Sequence, residues 1–380
     1  MNVLIVESPS KAKSINKYLG NQFKVLASVG HVRDLTAKND AIDTENDFKM
    51  KWETSDRGKK VIKDIANAAK DSENLYLATD PDREGEAIAW HVESMLREMP
   101  KLSKLKIHRI TFNEITKNAV LESLKEPRKI DDNLVNAYLA RRALDFLVGF
   151  NLSPVLWRKL PGSKSAGRVQ SVALKIITER ELEIEKFNPV EYWSLKGIFN
   201  KNQDKEFEGR LIYINESKIE KLTIKNEKNA SEFLEEIKKN KFHIDEIHKK
   251  ETKRNPYAAF TTSSMQIEAS RKLGFSANQT MRTAQKLYEG TEIEGDPTGL
   301  ITYMRTDSVM MSKSAISEIR DYVLKELGDD YLPNEPRIYK SKAKNAQEAH
   351  ECIRPTNIDL TPKEIKQFIT GEEHKLYEII

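Results

Sequence analysis

Short apolar runs alternate with helical patterns over residues 1 to about 125, and this alternation constrains the fold more than any other feature of the sequence. The apolar runs predict strands over residues 3–6, 23–28, 74–78 and 107–110. The intervening patterns predict helices over 10–19 and 84–99, and a capping box formed by Thr111 and Glu114 predicts a third over 111–124. Strands that alternate with helices in this way form mostly parallel sheets. We therefore expect an α/β domain, with its site outside the carboxyl ends of the strands.

The remainder of the chain is predicted to be mainly helical, with one β-rich part. Helical spacing runs from 130 to 186 and is interrupted by Pro161-Gly162-Ser163, whereas 191–200 and 206–215 alternate as strands do. Further helices are predicted from a Ser263–Gln266 cap to 273, over 276–288 and over 312–327. A chain of 380 residues exceeds one ordinary core. We predict four domains, an α/β domain at 1–125, a helical domain at 126–187, a β-containing segment at 188–258 and a last domain at 259–380.

Composition excludes several classes of protein. The single cysteine, Cys352, excludes an internal disulfide framework and a zinc ribbon of paired cysteines within this chain. Gly58 and Gly162 lie near lysines, but neither belongs to a complete glycine-rich phosphate loop, so ATP use is not indicated. No apolar stretch is long enough to cross a membrane, and the amino terminus lacks a secretory signal, which predicts a cytoplasmic protein. A net charge of +4 is compatible with a polyanionic partner but does not by itself predict one.

Acidic residues are concentrated where a predicted strand ends. Asp80, Asp82 and Glu84 follow the apolar run 74–78, and Glu7 ends the first predicted strand at the same edge of the sheet. Carboxylates this close repel one another unless a cation offsets their charge. Oxygen ligands suit a hard ion such as Mg²⁺, which predicts a magnesium site. The alternative for Glu84 is an ordinary acidic residue at a helix N-terminus, where the macrodipole favours negative charge.

Tyr303 and Arg305 lie two residues apart in the run from Leu300 to Ser308, which is apolar before them and polar after. The run predicts a short strand, and alternate residues of a strand share one face. A tyrosine hydroxyl, with an ordinary pKa near ~10, needs neighbouring positive charge to attack a phosphate. A guanidinium can hold two phosphate oxygens at once. Taken alone, the pair is also typical of a protein surface.

These motifs together resemble those of type IA DNA topoisomerases. Glu7 with Asp80-x-Asp82-x-Glu84-Gly85 is similar to the Toprim domain, which occurs in topoisomerases, primases and some nucleases. The Tyr303 run resembles the active-site strand of the type IA enzymes. The runs 3–12, 165–171 and 346–351 also agree with that family, and all the motifs occur in its order.

The resemblance implies a role for each motif. Tyr303 would attack a DNA phosphate to form a 5'-phosphotyrosine, with Arg305 stabilising the charge on that phosphate. Glu7 would act as general acid and base for the 3'-oxygen, with Lys11 beside the phosphate and His350 nearby. The implied magnesium ligands are Glu7, Asp80, Asp82 and Glu84. The implied DNA contacts are His31, Arg109, Arg141, Arg142, Asp145, Trp157, Ser165, Ala166, Gly167, Arg168, Val169, Gln170 and Arg305.

Two of these assignments have structural alternatives, and the function has alternatives as well. Arg141 and Asp145 are four residues apart, so they also fit an intrahelical ion pair. Trp157 fits burial in a core as well as stacking on a base. The resemblance implies ATP-independent relaxation of negatively supercoiled DNA through its single-stranded segments, by a monomer. Because family members are longer and this chain stops inside an amphipathic helix, we expect a fragment. The alternatives are a fragment that only binds or cleaves single-stranded DNA, and a Toprim nuclease or primase-like protein.

Overall fold

The computed structural model describes residues 1–200, 205–339 and 351–380 of the chain. These residues form two units, one made of 1–165 with 256–380 and the other of 166–255. The four-domain division remains a prediction. In the described ranges, no helix is long and apolar enough to cross a membrane.

The first unit contains the predicted α/β arrangement in its amino-terminal part. Its strands there are β1 Asn2–Val6, β2 Phe23–Ala27, β3 Arg33–Leu35, β4 Ile42–Asp43, β5 Lys49–Met50, β6 Trp52–Thr54, β7 Asn74–Leu77 and β8 Lys106–Arg109. Its helices there are α1 Pro9–Leu19, α2 Asp56–Ala69, α3 Arg83–Arg97, α4 Lys117–Ser123 and α5 Asp132–Lys159. Four strands pair in parallel in the order β2-β1-β7-β8. The predicted parallel sheet and its four strands are confirmed.

The second unit consists of α6 Arg168–Glu185, β9 Lys196–Phe199, β10 Phe207–Arg210, β11 Tyr213–Ile214, β12 Ser217–Lys218 and α7 Glu227–Lys238. The strands β9 and β10 pair antiparallel, with Phe207 opposite Phe199. In the described structure none of the residues of α6 is buried. The predicted break at Pro161-Gly162-Ser163 is confirmed, since α5 ends before it and α6 begins after it.

The first unit is completed by the elements that follow residue 255. These are α8 Thr262–Leu273, α9 Ala277–Glu289, β13 Thr291–Ile293, β14 Asp296–Thr298, α10 Lys313–Glu326, α11 Pro362–Ile365 and α12 Gly371–Ile379. The predicted helices over 276–288 and 312–327 are confirmed within a residue or two, with Ser276 and Ser312 as N-caps.

Strand β1 is buried on both faces, which explains why its sequence is continuously apolar. Leu4 and Val6 face one core, whereas Val3 and Ile5 face the other. The first of these cores also holds α8, α9 and Tyr303 with the residues before it. Hydrophobic packing therefore brings residues 300–308, here called the tyrosine segment, against the parallel sheet, even though the two are far apart in sequence.

Three local expectations were wrong. The helix predicted over 111–124 begins only at Lys117, capped by Thr116. Residues 113–115 instead run beside the tyrosine segment, where Tyr303 N–H donates to Asn113 O at 2.7 Å, so tertiary pairing overrides the predicted capping box. Helix α8 begins at Thr262 with a Thr261–Ser264 box, not at the predicted Ser263–Gln266 cap. The run 300–304, predicted to be a strand, forms only an isolated bridge, between Ile301 and Pro355.

Candidate active site

The tyrosine segment meets the carboxylate cluster at the carboxyl edge of the sheet. The Tyr303 hydroxyl donates a hydrogen bond to Asp82 Oδ2 at 2.7 Å, across 221 positions of sequence. Arg305 Nη1 lies 3.7 Å from the same oxygen. The sequence-based expectation that the Tyr303 run packs against this edge is therefore confirmed, and Tyr303 and Arg305 approach the same carboxylate.

The turn that carries the carboxylates is fixed by its own backbone. Asp82 is the N-cap of α3, and its Oδ1 accepts the Gly85 N–H at 2.8 Å. A Cβ at position 85 would lie 2.2 Å from the Asp80 carbonyl oxygen, so only glycine fits there. Asp82 therefore caps a helix with one oxygen and holds the tyrosine with the other.

Lys11 lies between two of the predicted metal ligands. Its buried ammonium is 2.9 Å from Glu7 Oε2 and 2.5 Å from Asp80 Oδ1. The Asp80 backbone N–H also donates to Glu7 Oε1. Burial alone would lower the pKa of Lys11, but the attraction of Asp80 and Glu7 outweighs it and raises that pKa. Burial, followed by the charge of Glu7, raises the pKa of Asp80 to about 6.

The four predicted ligand carboxylates line one cavity of about 420 Å³, which also borders α9. Their oxygens do not surround one point. In the described part of the chain, no three acidic, histidine or cysteine side chains are arranged to hold a metal ion. Mg²⁺ keeps several waters and needs only one or two carboxylates. Asp82 and Glu84 are not paired with Lys11, so the donor chemistry fits a hydrated Mg²⁺ there and not a four-carboxylate cage.

A second cavity of about 740 Å³ shares Asp82, Glu84 and Arg305 with the first and extends away from Glu7. It is polar, with His31, Arg83, Arg141 and Arg305 as its basic lining and Asp82, Glu84 and Asp307 as its acidic lining. The first turn of α8 contributes Thr262 and Ser263. Guanidinium groups, hydroxyls and a helix N-terminus are all suited to contact with phosphates.

His31 and Arg141 meet at Glu84 on the wall of this second cavity. His31 Nε2 lies 3.4 Å from Glu84 Oε2, and Arg141 Nη1 lies 3.8 Å from Glu84 Oε1. The hydrogen bond from His31 lowers the pKa of Glu84. The Arg141–Asp145 pair is also present, at 3.7 Å. Its intrahelical geometry and its position at the cavity are therefore compatible.

The other predicted DNA contacts lie in different surroundings. Arg142 pairs with Asp34 at 2.6 Å. Trp157 is 57% exposed and donates to Lys164 O at 2.7 Å, which excludes the core alternative. Ser165 is exposed at the end of the first unit, and residues 166–170 belong to the second. His350 lies outside the described residues.

Arg109 is buried, so the structure does not place it where DNA can reach it. Its Nε lies 2.9 Å from Glu86 Oε2, and both side chains are fully buried. Its other nitrogens donate to the carbonyl oxygens of Leu77, Thr79, Asp80 and Ile110. Arg109 therefore braces the strand end that carries Asp80. The sequence contains no signal that distinguishes a buried Arg109 from one that contacts DNA.

The buried His91 provides a test of this region's pH dependence. Arg33 Nε donates to His91 Nδ1 at 2.6 Å, and burial, followed by the charge of Arg33, lowers the pKa of His91 to about 3. The unfolded histidine titrates near ~6.5, so below that pH the unfolded state binds a proton that the native state excludes, and stability falls with acidification. This linkage should remove about 2 kcal/mol of the free energy of unfolding at pH 5. Urea unfolding at pH 7 and pH 5 should show a smaller loss for His91→Gln. An equal loss in both proteins would contradict this expectation.

The fold and the site are those of a member of the DNA topoisomerase family that contains a Toprim domain. The family model for the Toprim domain matches residues 2–115, and the model described as DNA topoisomerase matches 129–380. The chain belongs to the type IA DNA topoisomerase family.

Relatives and a solved structure agree with this assignment. The chain is 55% identical to DNA topoisomerase 1 of Rickettsia felis, over all of this chain and 49% of that protein. It is 50% identical to DNA topoisomerase 1 of Xylella fastidiosa, over all of this chain and 47% of that protein. Full-length topoisomerase I of Thermotoga maritima matches with a TM-score of 0.80 and 39% identity, over all of this chain and 59% of that chain. The chain thus spans about half the length of these curated relatives.

Proposed function

We propose that this chain carries a DNA-cleavage centre in which Tyr303 is the nucleophile. The observation that supports it is the Tyr303 hydroxyl bound to Asp82 beside Arg305, within a Toprim carboxylate cluster. The Tyr303 oxygen attacks a DNA phosphorus, and the bond from that phosphorus to the 3'-oxygen breaks. The product is a 5'-phosphotyrosine and a free 3'-hydroxyl. Because the reaction is a transesterification, resealing is its reverse and consumes no nucleotide.

The proton of the attacking hydroxyl passes to Asp82. Burial, with the charges of Asp80 and Asp82, raises the pKa of Tyr303 far above its usual value, so the resting side chain is a phenol. Its proton already points to Asp82 Oδ2, which can accept it as the phosphate is attacked. Arg305 is 55% exposed at the rim of both cavities and stabilises the negative charge that develops on the phosphate.

The departing 3'-oxygen receives its proton from the Glu7–Lys11 side of the site. Glu7 serves in its protonated form as the general acid in cleavage, and the carboxylate that this leaves serves as the general base in resealing. Lys11, whose Nζ is 2.9 Å from Glu7, supplies fixed positive charge there. Asp82 and Glu84 would hold Mg²⁺, which would supply positive charge beside the phosphate.

Cleavage requires the site to open. Tyr303 is only 2% exposed and lines neither cavity, so the chain around it must move to admit a phosphate while the hydroxyl stays within reach of Asp82. The DNA strand would enter through the polar second cavity, where His31, Arg141 and Arg305 contact its phosphates. Such contacts position DNA without reading its sequence.

We propose that, in a protein of its relatives' length, this centre relaxes negatively supercoiled DNA by cutting one strand, passing the other and resealing. The substrate is a single-stranded segment, and action as a monomer in the bacterial cytoplasm remains a prediction. The family assignment and the relatives named DNA topoisomerase 1 support this wider proposal.

An adduct assay with end-labelled single-stranded DNA tests the cleavage proposal. The chain is incubated with DNA and Mg²⁺ and then denatured. A 3'-labelled strand should give labelled protein, and a 5'-labelled strand should give a shorter free product with a 3'-hydroxyl. Salt-dependent binding with no adduct would instead support the binding-only alternative. Cut DNA free of protein would support a Toprim nuclease.

Arg305 should affect cleavage far more than stability. We expect Arg305→Ala to lower the rate of adduct formation by about 10²- to 10³-fold, because it removes charge stabilisation of the attacked phosphate. Arg305→Lys should recover only part of that rate, because an ammonium cannot hold two oxygens in a planar fork. Single-turnover cleavage at saturating DNA measures both effects. Parental rates in the alanine variant would exclude this role.

A further inference from the structure

We infer that Tyr288, at the end of α9, is a positioning residue for cleavage that holds Asp80, Lys11 and the Tyr303 ring in one arrangement. The inference rests on the proposed function and assigns a role within it to a residue that the sequence motifs do not mark. In the sequence, Tyr288 occupies only an apolar position of a predicted amphipathic helix.

Tyr288 contacts three parts of the proposed machinery at once. Its hydroxyl donates to Asp80 Oδ1 at 3.1 Å, and the same oxygen receives Lys11 Nζ at 2.5 Å. The Lys11 ammonium also lies 5.1 Å from the centre of the Tyr288 ring, within the range of a cation–π contact. The Tyr288 and Tyr303 rings meet edge to face, with centroids 5.2 Å apart.

These contacts are held in place by the surrounding chain. Tyr288 is completely buried, so its ring cannot reorient without disturbing the core. The residue before it, Leu287, accepts the Leu300 N–H at 2.7 Å, which attaches the end of α9 to the start of the tyrosine segment. Gly299 allows this close approach, because a Cβ there would lie 2.7 Å from the Tyr288 carbonyl oxygen. Tyr288 is therefore fixed to the nucleophile's segment through the backbone and to the carboxylate loop through its side chain.

The ring of Tyr288 packs against Tyr303, whereas its hydroxyl donates a hydrogen bond to Asp80. A phenylalanine would fill the same space and keep the edge-to-face contact with Tyr303. It would leave Asp80 without one of its two side-chain donors, so the Asp80–Lys11 pair could rotate away from the arrangement in which Lys11 faces Glu7. A role in core filling alone would not require a donor aimed at a buried carboxylate.

The test is Tyr288→Phe, with Tyr377→Phe as a matched control. Tyr377 is 3% exposed, and its hydroxyl donates to Leu360 O at 2.8 Å, away from the carboxylates. We expect Tyr288→Phe to lower the single-turnover rate of adduct formation at saturating DNA by about tenfold to a hundredfold, as for loss of a hydrogen bond to a charged group. Its affinity for DNA and its thermal midpoint should change no more than those of the control, which should cleave at the parental rate.

The outcomes separate this inference from the proposed function. If the parent forms adduct, two results overturn the positioning role. One is cleavage by Tyr288→Phe at the parental rate. The other is a loss of cleavage fully explained by weaker DNA binding or by a smaller folded fraction. No adduct from the parent overturns both. A second variant, Tyr288→Leu, should cleave more slowly than Tyr288→Phe, because it also loses the ring contacts with Lys11 and Tyr303. Equal cleavage rates for the two variants would show that the ring contacts of Tyr288 do not contribute to positioning.

Discussion

Replacing Tyr303 with phenylalanine is expected to abolish the covalent protein–DNA adduct while the fold and the affinity for DNA are retained. The substitution removes only the hydroxyl that donates to Asp82 at 2.7 Å, and the buried ring keeps its contact with Tyr288. Loss of the nucleophile should lower adduct formation by at least about a thousandfold, because the covalent bond to DNA is made by the hydroxyl oxygen that phenylalanine lacks. Denaturing gels with 3'-labelled single-stranded DNA measure this loss.

Two controls make the Tyr303→Phe result interpretable. The urea midpoint should fall only slightly, because Asp82 keeps its hydrogen bond from the Gly85 N–H and its proximity to Arg305. Tyr377→Phe, which removes another buried tyrosine hydroxyl, should form adduct at the parental rate. Undiminished adduct from Tyr303→Phe would show that another residue is the nucleophile.

Replacing Arg109 with methionine is expected to produce the largest loss of stability among these variants. Methionine fills similar space but removes a buried ionic partner of Glu86 and the hydrogen bonds that Arg109 donates to four carbonyl oxygens. Removing one side of a buried ion pair costs about 3–5 kcal/mol of the free energy of unfolding. Urea denaturation measures this cost, and cleavage should fall as well because the Asp80 carbonyl loses its brace.

Arg142→Met is the matched control, since Arg142 was also predicted to contact DNA but lies on the surface. It pairs with the exposed Asp34, and exposed pairs contribute about 0–1 kcal/mol. Its stability should therefore be close to that of the parent. If Arg109→Met instead unfolds like the parent and only loses affinity for DNA, Arg109 is a DNA contact and not a brace.

The sequence was sufficient to predict those features that depend on local pattern. The run before Asp80 and the run before Glu7 both predict parallel strands, and parallel strands end at one edge, so the carboxylates had to lie together. The complementary chemistry of the two motifs predicted that the Tyr303 run packs against the carboxyl edge of the sheet. That Asp82 is the carboxylate it meets was not predicted.

Features that depend on tertiary contacts could not be predicted in this way. The Thr111–Glu114 pattern is a good local cap, but residues 113–115 pair with the tyrosine segment instead. Arg109 carries a charge that usually lies at a surface, and its burial is compensated by the buried Glu86 and by four carbonyl oxygens. Lys11 and Tyr288 both bind Asp80 from helices, and the local sequence around these two residues does not predict how the helices pack against the sheet. The partner of a buried polar group therefore had to be read from the structure.

The identity of the residue bonded to DNA tests the central claim most directly. Trypsin cuts after Lys286 and Arg305, so Tyr303 and Tyr288 fall in one peptide, 287–305. After adduct formation and nuclease trimming, tandem mass spectrometry should place a nucleotide on Tyr303, joined through a 5'-phosphate. A nucleotide on Tyr288 or any other residue, or a link through a 3'-phosphate, would contradict the account.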